Sequence, residues 1–445
     1  MRSQINRLGK ELLLVGLGQA VAAVGSLVGV RLMTGRFDPA AYGEVALAIT
    51  FVTLSQQLLI GPLSAALTRF LNVAQEKREL PGFLGSSASL ALKISLAMSA
   101  FTLVGTAFLA LSGRSATLGL AGFTLVFALL SGVNILLDAI QTAARQRAVV
   151  AWHQGIGQWL RYLGAVGMAL VFGGSPAAAL AGYALSALLV LLSQTFFFQR
   201  KIGAELDSRP AVDPVWTARL LRYTLPFTSW GIFTWLQITS DRWALQTFSS
   251  TQAVGYYAVL YQLGYYPLMM LTNVFVQFAD PVLFRQAGDG TQQGRIDRAQ
   301  RNTLRLLAGA LVLTGLVFLG ALLFHHLIFD LFAAEQYRQI SGYLPIMALS
   351  GGLFACGQIA STSQLNRGEP QALLVPKIVM GIAGTLFNLA GARWMGLPGV
   401  VYANLTFSAL YFLWTVLIFN GRRPNPGLLP SPQGPLEGSG KGAGG

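Results

Sequence analysis

The sequence predicts an all-α integral membrane protein with twelve transmembrane helices. Hydrophobic residues make up 53% of its 445 residues and charged residues only 11%, whereas a soluble globular protein carries about 25% charged residues. The charges lie at the edges of apolar runs about 20 residues long, which is the length that a helix needs to cross about 30 Å of hydrocarbon. Strands of membrane proteins are only about 10 residues long and alternate in polarity, so the pattern favours helices.

Twelve apolar segments can be assigned along the chain. The first follows three basic residues near the N-terminus and runs to about Arg31. It is too long for the apolar region of a cleaved signal peptide, so we expect it to remain as the first span. The predicted spans are 12–32, 43–67, 88–111, 117–138, 152–172, 177–198, 223–247, 253–278, 303–325, 342–364, 372–393 and 399–420.

The distribution of lysine and arginine predicts the orientation of these spans. If the N-terminus is cytoplasmic, 21 of the 31 basic residues fall in cytoplasmic segments and only 5 in or beside outer loops. Membrane proteins keep their positive charge on the cytoplasmic side. The net charge of +14 is therefore explained without a nucleic-acid partner, and both termini are predicted to be cytoplasmic.

Short repeated motifs divide the chain into two halves of six spans. The motif Gly-Ser-Pro at 174–176 recurs as Gly-Leu-Pro at 396–398, and Tyr-Gly at 42–43 resembles Val-Gly-Tyr at 254–256. Because six is an even number, both halves have the same orientation, and such parallel repeats are typical of transporters. We predict an N-terminal six-helix lobe at 1–198, a cytoplasmic connection at 199–222, a C-terminal six-helix lobe at 223–421, and a disordered, Gly- and Pro-rich cytoplasmic tail at 422–445.

Three arginines are candidates for a substrate pathway. Arg161 lies at the middle of the fifth predicted span, where an arginine costs about 2.5–3.5 kcal/mol and should face the bundle interior or a water-filled cavity. Arg31 and Arg242 lie near the outer ends of corresponding spans in the two halves. Together they would give a cavity a positive potential, which suits an anionic substrate such as one carrying phosphates. A buried structural ion pair is the alternative interpretation of Arg161.

Asp241 lies directly before Arg242 in the seventh predicted span. Adjacent residues on a helix do not face each other. We therefore expect each of the two to have its own partner, or one of them to face the cavity, with Asp241 orienting an arginine or relaying a proton.

Two prolines are candidates for a bending element. Pro226 and Pro267 lie in the seventh and eighth predicted spans. A proline inside a helix leaves a carbonyl group without its intrahelical donor, which is tolerable only beside protein or water. We predict that this region bends during function, and static kinks are the alternative.

Enzymatic and metal-binding motifs are missing from the sequence. There is no P-loop, and the single cysteine, Cys356, and three histidines show no metal-ligand spacing. His325 and His326 at the outer end of the ninth predicted span are the one pair that could carry catalysis, and an interfacial anchor is the alternative. We predict that the protein is not an enzyme and holds no metal.

Further short motifs lie at the ends of the predicted spans, over nearly the whole chain up to about residue 420. They are Arg31 with Phe-Asp-Pro-Ala-Ala-Tyr-Gly at 37–43, Tyr-Thr-Leu-Pro at 223–226, Asp241-Arg242, Val-Gly-Tyr-Tyr-Ala at 254–258, Pro281, and Gly-Leu-Pro-Gly at 396–399. This set resembles the polysaccharide-exporter branch of the multidrug/oligosaccharidyl-lipid/polysaccharide (MOP) superfamily, the Wzx-type flippases.

The resemblance implies a MOP/MATE-like fold of two six-helix lobes that work by alternating access. It also implies a cationic cavity that accepts an undecaprenyl-diphosphate-linked oligosaccharide and moves it across the bacterial inner membrane, driven by an H⁺ or Na⁺ gradient and without a further cofactor. Membrane lipids and polysaccharide polymerase or assembly proteins would be its partners. Of the pathway residues, Arg31, Asp241 and Arg242 rest on matched motif positions, and Arg161 rests on its depth alone.

Two alternative functions stay open at this point. A MATE-type ion-coupled antiporter of drugs or cations would need buried carboxylates, and the spans offer few of them. These are Glu44, Asp138, Asp241 and Asp280, of which only Asp241 lies away from a span edge. A membrane subunit or enzyme of envelope polysaccharide assembly is the second alternative, with His325 and His326 as its candidate residues.

Overall fold

The computed structural model describes residues 2–111, 118–206, 208–272, 276, 283, 293–366 and 374–421. Throughout these ranges the chain is helical apart from short connections, and they contain no strand. The helices are α1 Arg2–Thr34, α2 Pro39–Glu76, α3 Leu80–Leu111, α4 Leu118–Ala143, α5 Arg147–Phe172, α6 Pro176–Lys201, α7 Pro214–Phe248, α8 251–272, α9 Gln293–Phe332, α10 Leu344–Asn366, α11 Leu374–Met395 and α12 Leu397–Gly421, with short 3₁₀ helices at Gly203–Glu205 and Glu335–Tyr343.

Nine helices among the described residues are long and apolar enough to cross a membrane. The predicted all-α membrane fold is therefore confirmed, whereas the predicted count of twelve spans is not exact by this measure. The helices α5, α7 and α8 fall short of it. Polar side chains such as Gln154 and Arg161 in α5, or Asp241 and Arg242 in α7, lower the mean hydropathy of these helices. Such residues are tolerated in membrane helices that turn them towards protein rather than lipid.

Some predicted segments differ from the helix bounds in the structure, and others lie outside the described residues. Of the predicted connection 199–222, only 202–213 links two helices, because α6 continues to Lys201 and α7 begins at Pro214. The tail 422–445, Pro281 and Asp280 lie outside the described residues.

Matching close crossings occur in the two halves of the chain. In α5 and α6, a Cβ atom added to Gly182 would lie 2.3 Å from the backbone of Gly164, and in α11 and α12 a Cβ atom on Gly399 would lie 2.0 Å from the carbonyl oxygen of Gly391. Real Cβ atoms do not come so close to a backbone, so each crossing needs glycine. Small residues at helix crossings are the usual means by which membrane helices approach closely.

The helices α2 and α8 each contain one wider π turn just before a proline. The turn Gln56–Ile60 precedes Pro62, and the turn Tyr261–Tyr265 precedes Pro267. A proline lacks the N–H group and clashes with the carbonyl four residues earlier, and a π turn rearranges the hydrogen bonds at that point. Pro226, by contrast, lies inside an uninterrupted α-helix. That Pro226 and Pro267 bend during function stays a prediction.

Candidate functional site

A cavity of about 270 Å³ lies between α1 and α8, at the interface of the two halves of the chain. Its walls are mostly apolar, and its polar groups come from Gln19, Ser26, Gln262 and Tyr266. The cavity lies towards the ends of α1 and α8 that are predicted to be cytoplasmic. Pro267 is part of its wall, so the predicted bending residue borders this space.

Gln262 closes the outer end of this cavity with hydrogen bonds to three helices of the other half. The hydroxyl of Tyr42 donates to its Oε1 at 3.1 Å. Its Nε2 donates to the hydroxyl of Ser26 at 3.0 Å and to that of Tyr162. Both ends of the amide are thus satisfied, as a buried glutamine requires. We call this group, Gln262 with Tyr42, Ser26 and Tyr162, the glutamine clamp.

The outer connections of the two halves dock onto each other beyond the clamp. Arg31 donates to the carbonyl oxygen of Ala333. Gln336 donates to the carbonyl oxygens of Thr34 at 3.1 Å and of Phe37 at 3.2 Å. In this structure the side that is predicted to be outer is therefore closed between 31–37 and 333–337, and we call these contacts the outer closure. Arg31 belongs to the outer closure and does not line the cavity.

The backbones of α2 and α8 touch at the same level. A Cβ atom added to Gly255 would lie 1.8 Å from the carbonyl oxygen of Pro39, and one added to Gly43 would lie 2.0 Å from that of Thr251. The two glycines that the sequence repeat matched thus meet each other directly.

Asp241 and Arg242 form an ion pair, with 3.1 Å between Oδ1 and Nη1. The expectation that these neighbours cannot meet was wrong, because the long arginine side chain folds back along the helix and also donates to the carbonyl oxygen of Ile238 at 2.9 Å. Asp241 is 2% exposed and has a second partner, the hydroxyl of Tyr257 at 2.6 Å. The guanidinium carbon of Arg242 lies 4.7 Å from the ring centroid of Tyr261.

Arg161 is held by aromatic rings rather than by a carboxylate. Its guanidinium carbon lies 4.5 Å from the ring centroid of Tyr183 and 5.1 Å from that of Phe127. Among the described residues its buried Nε has no hydrogen-bond partner, and no acidic side chain pairs with it. It is next in sequence to Tyr162 of the glutamine clamp but does not line the cavity. The structure thus places Arg31, Arg161 and Arg242 in three separate environments.

The histidine pair shares one hydroxyl group. Nδ1 of His325 lies 3.1 Å and Nδ1 of His326 lies 3.3 Å from the hydroxyl oxygen of Ser341, which is 2% exposed. The two rings contact each other with 4.0 Å between their centroids. The pair therefore joins the outer end of α9 to the 3₁₀ helix Glu335–Tyr343.

Replacing Gln262 by leucine should weaken the contact between the two halves. The hydroxyls of Tyr42, Ser26 and Tyr162 would lose their shared partner, and each unsatisfied buried polar group costs about 1–3 kcal/mol. We expect the purified variant to melt at a lower temperature than the wild type. The replacement Gln252→Leu on the exposed face of α8 is the control and should leave the melting temperature unchanged. Equal melting temperatures for both variants would show that the clamp contributes nothing.

One known protein family matches this chain. Residues 8–286 match the profile of a family described as polysaccharide biosynthesis protein, which is more than half of the chain. The chain belongs to this family. No curated protein sequence matches the chain significantly.

Solved structures of MOP superfamily transporters share the fold of this polysaccharide biosynthesis protein. The lipid II flippase MurJ in an inward closed conformation matches with a TM-score of 0.64 and 15% identity, over 91% of this chain and 86% of that one. A variant of the Vibrio cholerae MATE transporter VcmN matches with a TM-score of 0.65 and 14% identity, over 93% and 96%. A MOP superfamily transporter from Pyrococcus furiosus matches with a TM-score of 0.57 and 15% identity, over 93% and 95%. The predicted MOP/MATE-like fold is thereby confirmed, and the chain is a multi-pass membrane protein.

Proposed function

We propose that this protein is a flippase that moves an undecaprenyl-diphosphate-linked oligosaccharide across the bacterial inner membrane by alternating access. The observation that carries the proposal is the asymmetry of the interface between the two halves. The outer side is sealed by the glutamine clamp and the outer closure, while a cavity separates α1 from α8 on the other side. A chain of the polysaccharide biosynthesis family with this asymmetry fits the inward-facing state of such a flippase.

The outer closure is made of contacts that can be exchanged for water. Arg31 and Gln336 bind backbone carbonyl groups, and water can take the place of each donor when the halves separate. The net contribution of one such hydrogen bond is about 0.5–1.5 kcal/mol. A small number of such hydrogen bonds keeps the outer side closed but lets it open again. Alternating access requires a closure that is reversible in this way.

Of the three predicted arginines, Arg161 is the one whose charge neither an acidic side chain nor the outer closure engages among the described residues, although it does not line the cavity in this state. The charge of Arg242 is balanced by Asp241 at 3.1 Å, and Arg31 is engaged in the outer closure. Arg161 rests on two aromatic rings, and its Nε has no partner in the part of the chain that the structure describes. We therefore assign the binding of the diphosphate group to Arg161, with Arg31 and Arg242 joining it only when the halves rearrange.

Replacing Arg161 by alanine should strongly reduce export while the protein is still made and inserted. Hydrogen bonds to charged groups contribute about 1.5–3 kcal/mol, so we expect a loss of about tenfold to a hundredfold in translocation. The measurement is transfer of lipid-linked oligosaccharide across reconstituted vesicles. The replacement Arg161→Lys should restore part of the activity, and Arg338→Ala, at an exposed arginine paired with Asp330, is the control. Unchanged transfer by Arg161→Ala would remove this residue from the mechanism.

The remaining parts of the proposal concern energy, topology and partners. We propose that an H⁺ or Na⁺ gradient drives the cycle, that both termini are cytoplasmic, and that 1–198 and 223–421 move as two lobes. Polysaccharide polymerase or assembly proteins would take up the product. Reporter fusions at the two termini test the topology, since a reporter active only in the cytoplasm should work at both ends.

An ion-coupled antiporter of drugs or cations is the second candidate function, and the likeness to MATE transporters in fold favours it. Such an antiporter should protect drug-sensitive cells from cationic dyes. The flippase should give no protection and should instead restore polysaccharide export in cells that lack their own exporter.

A further inference from the structure

A polar cluster in α4, α5 and α6, in which Gln194 is buried, Asp138 partly buried and Gln154 exposed, takes no part in the contacts described so far. Asp138 of α4 accepts a hydrogen bond from Nε2 of Gln154 at 3.1 Å and one from Nε2 of Gln194 at 2.5 Å. Among the described residues no lysine, arginine or histidine forms an ion pair with Asp138. Asp138 lies at the edge of its predicted span, where its carboxylate is held by hydrogen bonds from two amide groups. Uptake of a proton would neutralise this charge without a basic side chain.

Asp138 is connected to the cavity between α1 and α8. Oε1 of Gln154 accepts a hydrogen bond from Nε2 of Gln19 at 3.2 Å, and Gln19 lines the cavity. Two glutamine side chains thus lead from the cavity to the carboxylate. The same relay ties α1, which forms one wall of the cavity, to the charge on α4.

The surroundings of Asp138 fit a proton better than a metal ion. Both neighbouring amides turn their NH₂ groups towards the carboxylate, whereas Na⁺ would need several oxygen ligands. Gln194 is 1% exposed, and its Oε1 has no partner among the described residues. When Asp138 is protonated, its O–H group needs an acceptor, and rotation of the Gln194 amide supplies this Oε1. The carboxyl group of Asp138 then has hydrogen-bond partners in both its charged and its neutral state.

Other titratable groups on the packed helices are engaged elsewhere or distant. On α5, His153 contacts the carbonyl oxygen of Val149 at 2.8 Å and the hydroxyl of Ser193 at 2.9 Å, and Arg161 lies over Tyr183. Lys201 at the end of α6 donates to the carbonyl oxygen of Ala144 at 3.5 Å. The helices also carry Arg147, Tyr162, Tyr183 and Arg200 and, in α1, Arg2, Arg7, Lys10, Glu11 and Arg31.

We propose that Asp138 binds the coupling proton while the outer side is open and releases it to the water of the cavity after the halves have returned to the state described here. When the carboxylate becomes a carboxylic acid, its negative charge disappears and its bond from Gln154 is weakened. The Gln154–Gln19 link to α1 is thereby loosened, and it tightens again when the proton has left. This inference rests on the proposed function, because it names the site at which the driving ion acts.

The first test detects the proton directly and needs no substrate. Infrared difference spectra of the full chain in vesicles, recorded between neutral and acidic pH, should contain the carbonyl band of a protonated carboxyl group that is lost in Asp138→Asn. The matched control Asp330→Asn, at an exposed carboxylate paired with Arg338 at 3.3 Å, should keep that band. If Asp138→Asn leaves the spectrum unchanged, Asp138 does not titrate and the inference is wrong.

The second test measures transfer of lipid-linked oligosaccharide under an imposed proton gradient. Asp138→Asn should lose about tenfold of the gradient-dependent rate, a coupling of the usual size between two ligand sites, and Asp138→Glu should recover most of it. Gln154→Leu removes the exposed amide that links Asp138 to Gln19. This variant should keep the infrared band and slow the transfer. Gradient-dependent transfer by Asp138→Asn at the wild-type rate, or a response of the wild type to Na⁺ alone, would overturn the inference. A wild type that shows the infrared band but moves no lipid would refute the proposed function and leave the proton site standing.

Discussion

Replacing Gly255 by valine should force α2 and α8 apart at the outer side and abolish transfer. The first carbon of the new side chain would lie 1.8 Å from the carbonyl oxygen of Pro39, and a backbone cannot yield as the tip of a flexible side chain can. Overpacking of this kind costs about 1–3 kcal/mol, occasionally more. We expect a lower melting temperature of the purified protein and an outer side that no longer closes.

Thiol labelling measures whether the outer side closes. Thr34 is fully buried in the outer closure, so a cysteine at this position, in a Cys356→Ala background, should react with a membrane-impermeant reagent only when the closure opens. Gly255→Val should make it reactive. The control Gly320→Val adds a side chain where no other atom lies within 4 Å, and it should leave labelling and melting unchanged. Equal behaviour of the two valine variants would contradict the role of the crossing.

Replacing Asp241 by asparagine should destabilise the protein more than any other single change of charge considered above. It would leave Arg242, whose side chain is 13% exposed, without its counter-charge. Removing one partner of a buried pair costs about 3–5 kcal/mol, because the remaining charge is left uncompensated. The measurement is the free energy of unfolding in detergent, or the melting temperature where unfolding is irreversible.

A double variant separates the pair from its surroundings. Asp241→Asn combined with Arg242→Gln removes both charges and should recover much of the lost stability, since the coupling of two contacting residues appears as a departure from additivity. The exposed pair of Arg338 and Asp330 is the control, and its loss through Asp330→Asn should cost about 1 kcal/mol or less. If the double variant is as unstable as Asp241→Asn alone, the ion pair is not what holds this site.

The sequence predicted those features that depend on local chain properties. Apolar runs located the membrane helices, and the depth of Arg161 predicted that this residue faces the bundle interior or a water-filled cavity; it lies over the rings of Phe127 and Tyr183. The repeat that matched Gly43 with Gly255 found two residues that meet in the structure, although it could not show that they touch.

Contacts between distant parts of the chain could not be predicted in this way. The outer closure joins segments that are about 300 residues apart, and many of its acceptors are backbone carbonyl groups, which leave no mark in the sequence. Gln262 is one glutamine in an apolar run, and only the packing of α8 against α1, α2 and α5 shows its partners. The pairing of Asp241 with Arg242 was missed because helix periodicity places side chains by direction and ignores how far a long one can fold back.

The π turns of α2 and α8 set the rotational register of these helices. One extra residue in a turn rotates everything after it by about 100° relative to a regular α-helix. Before its π turn, α8 directs Gly255 at α2, and after it the same helix directs Tyr266 and Met270 at the space beside α1. Each helix can therefore pack against one neighbour with its outer half and against another with its inner half. Deletion of a single residue from the turn would rotate the side chains of the inner half away from their partners.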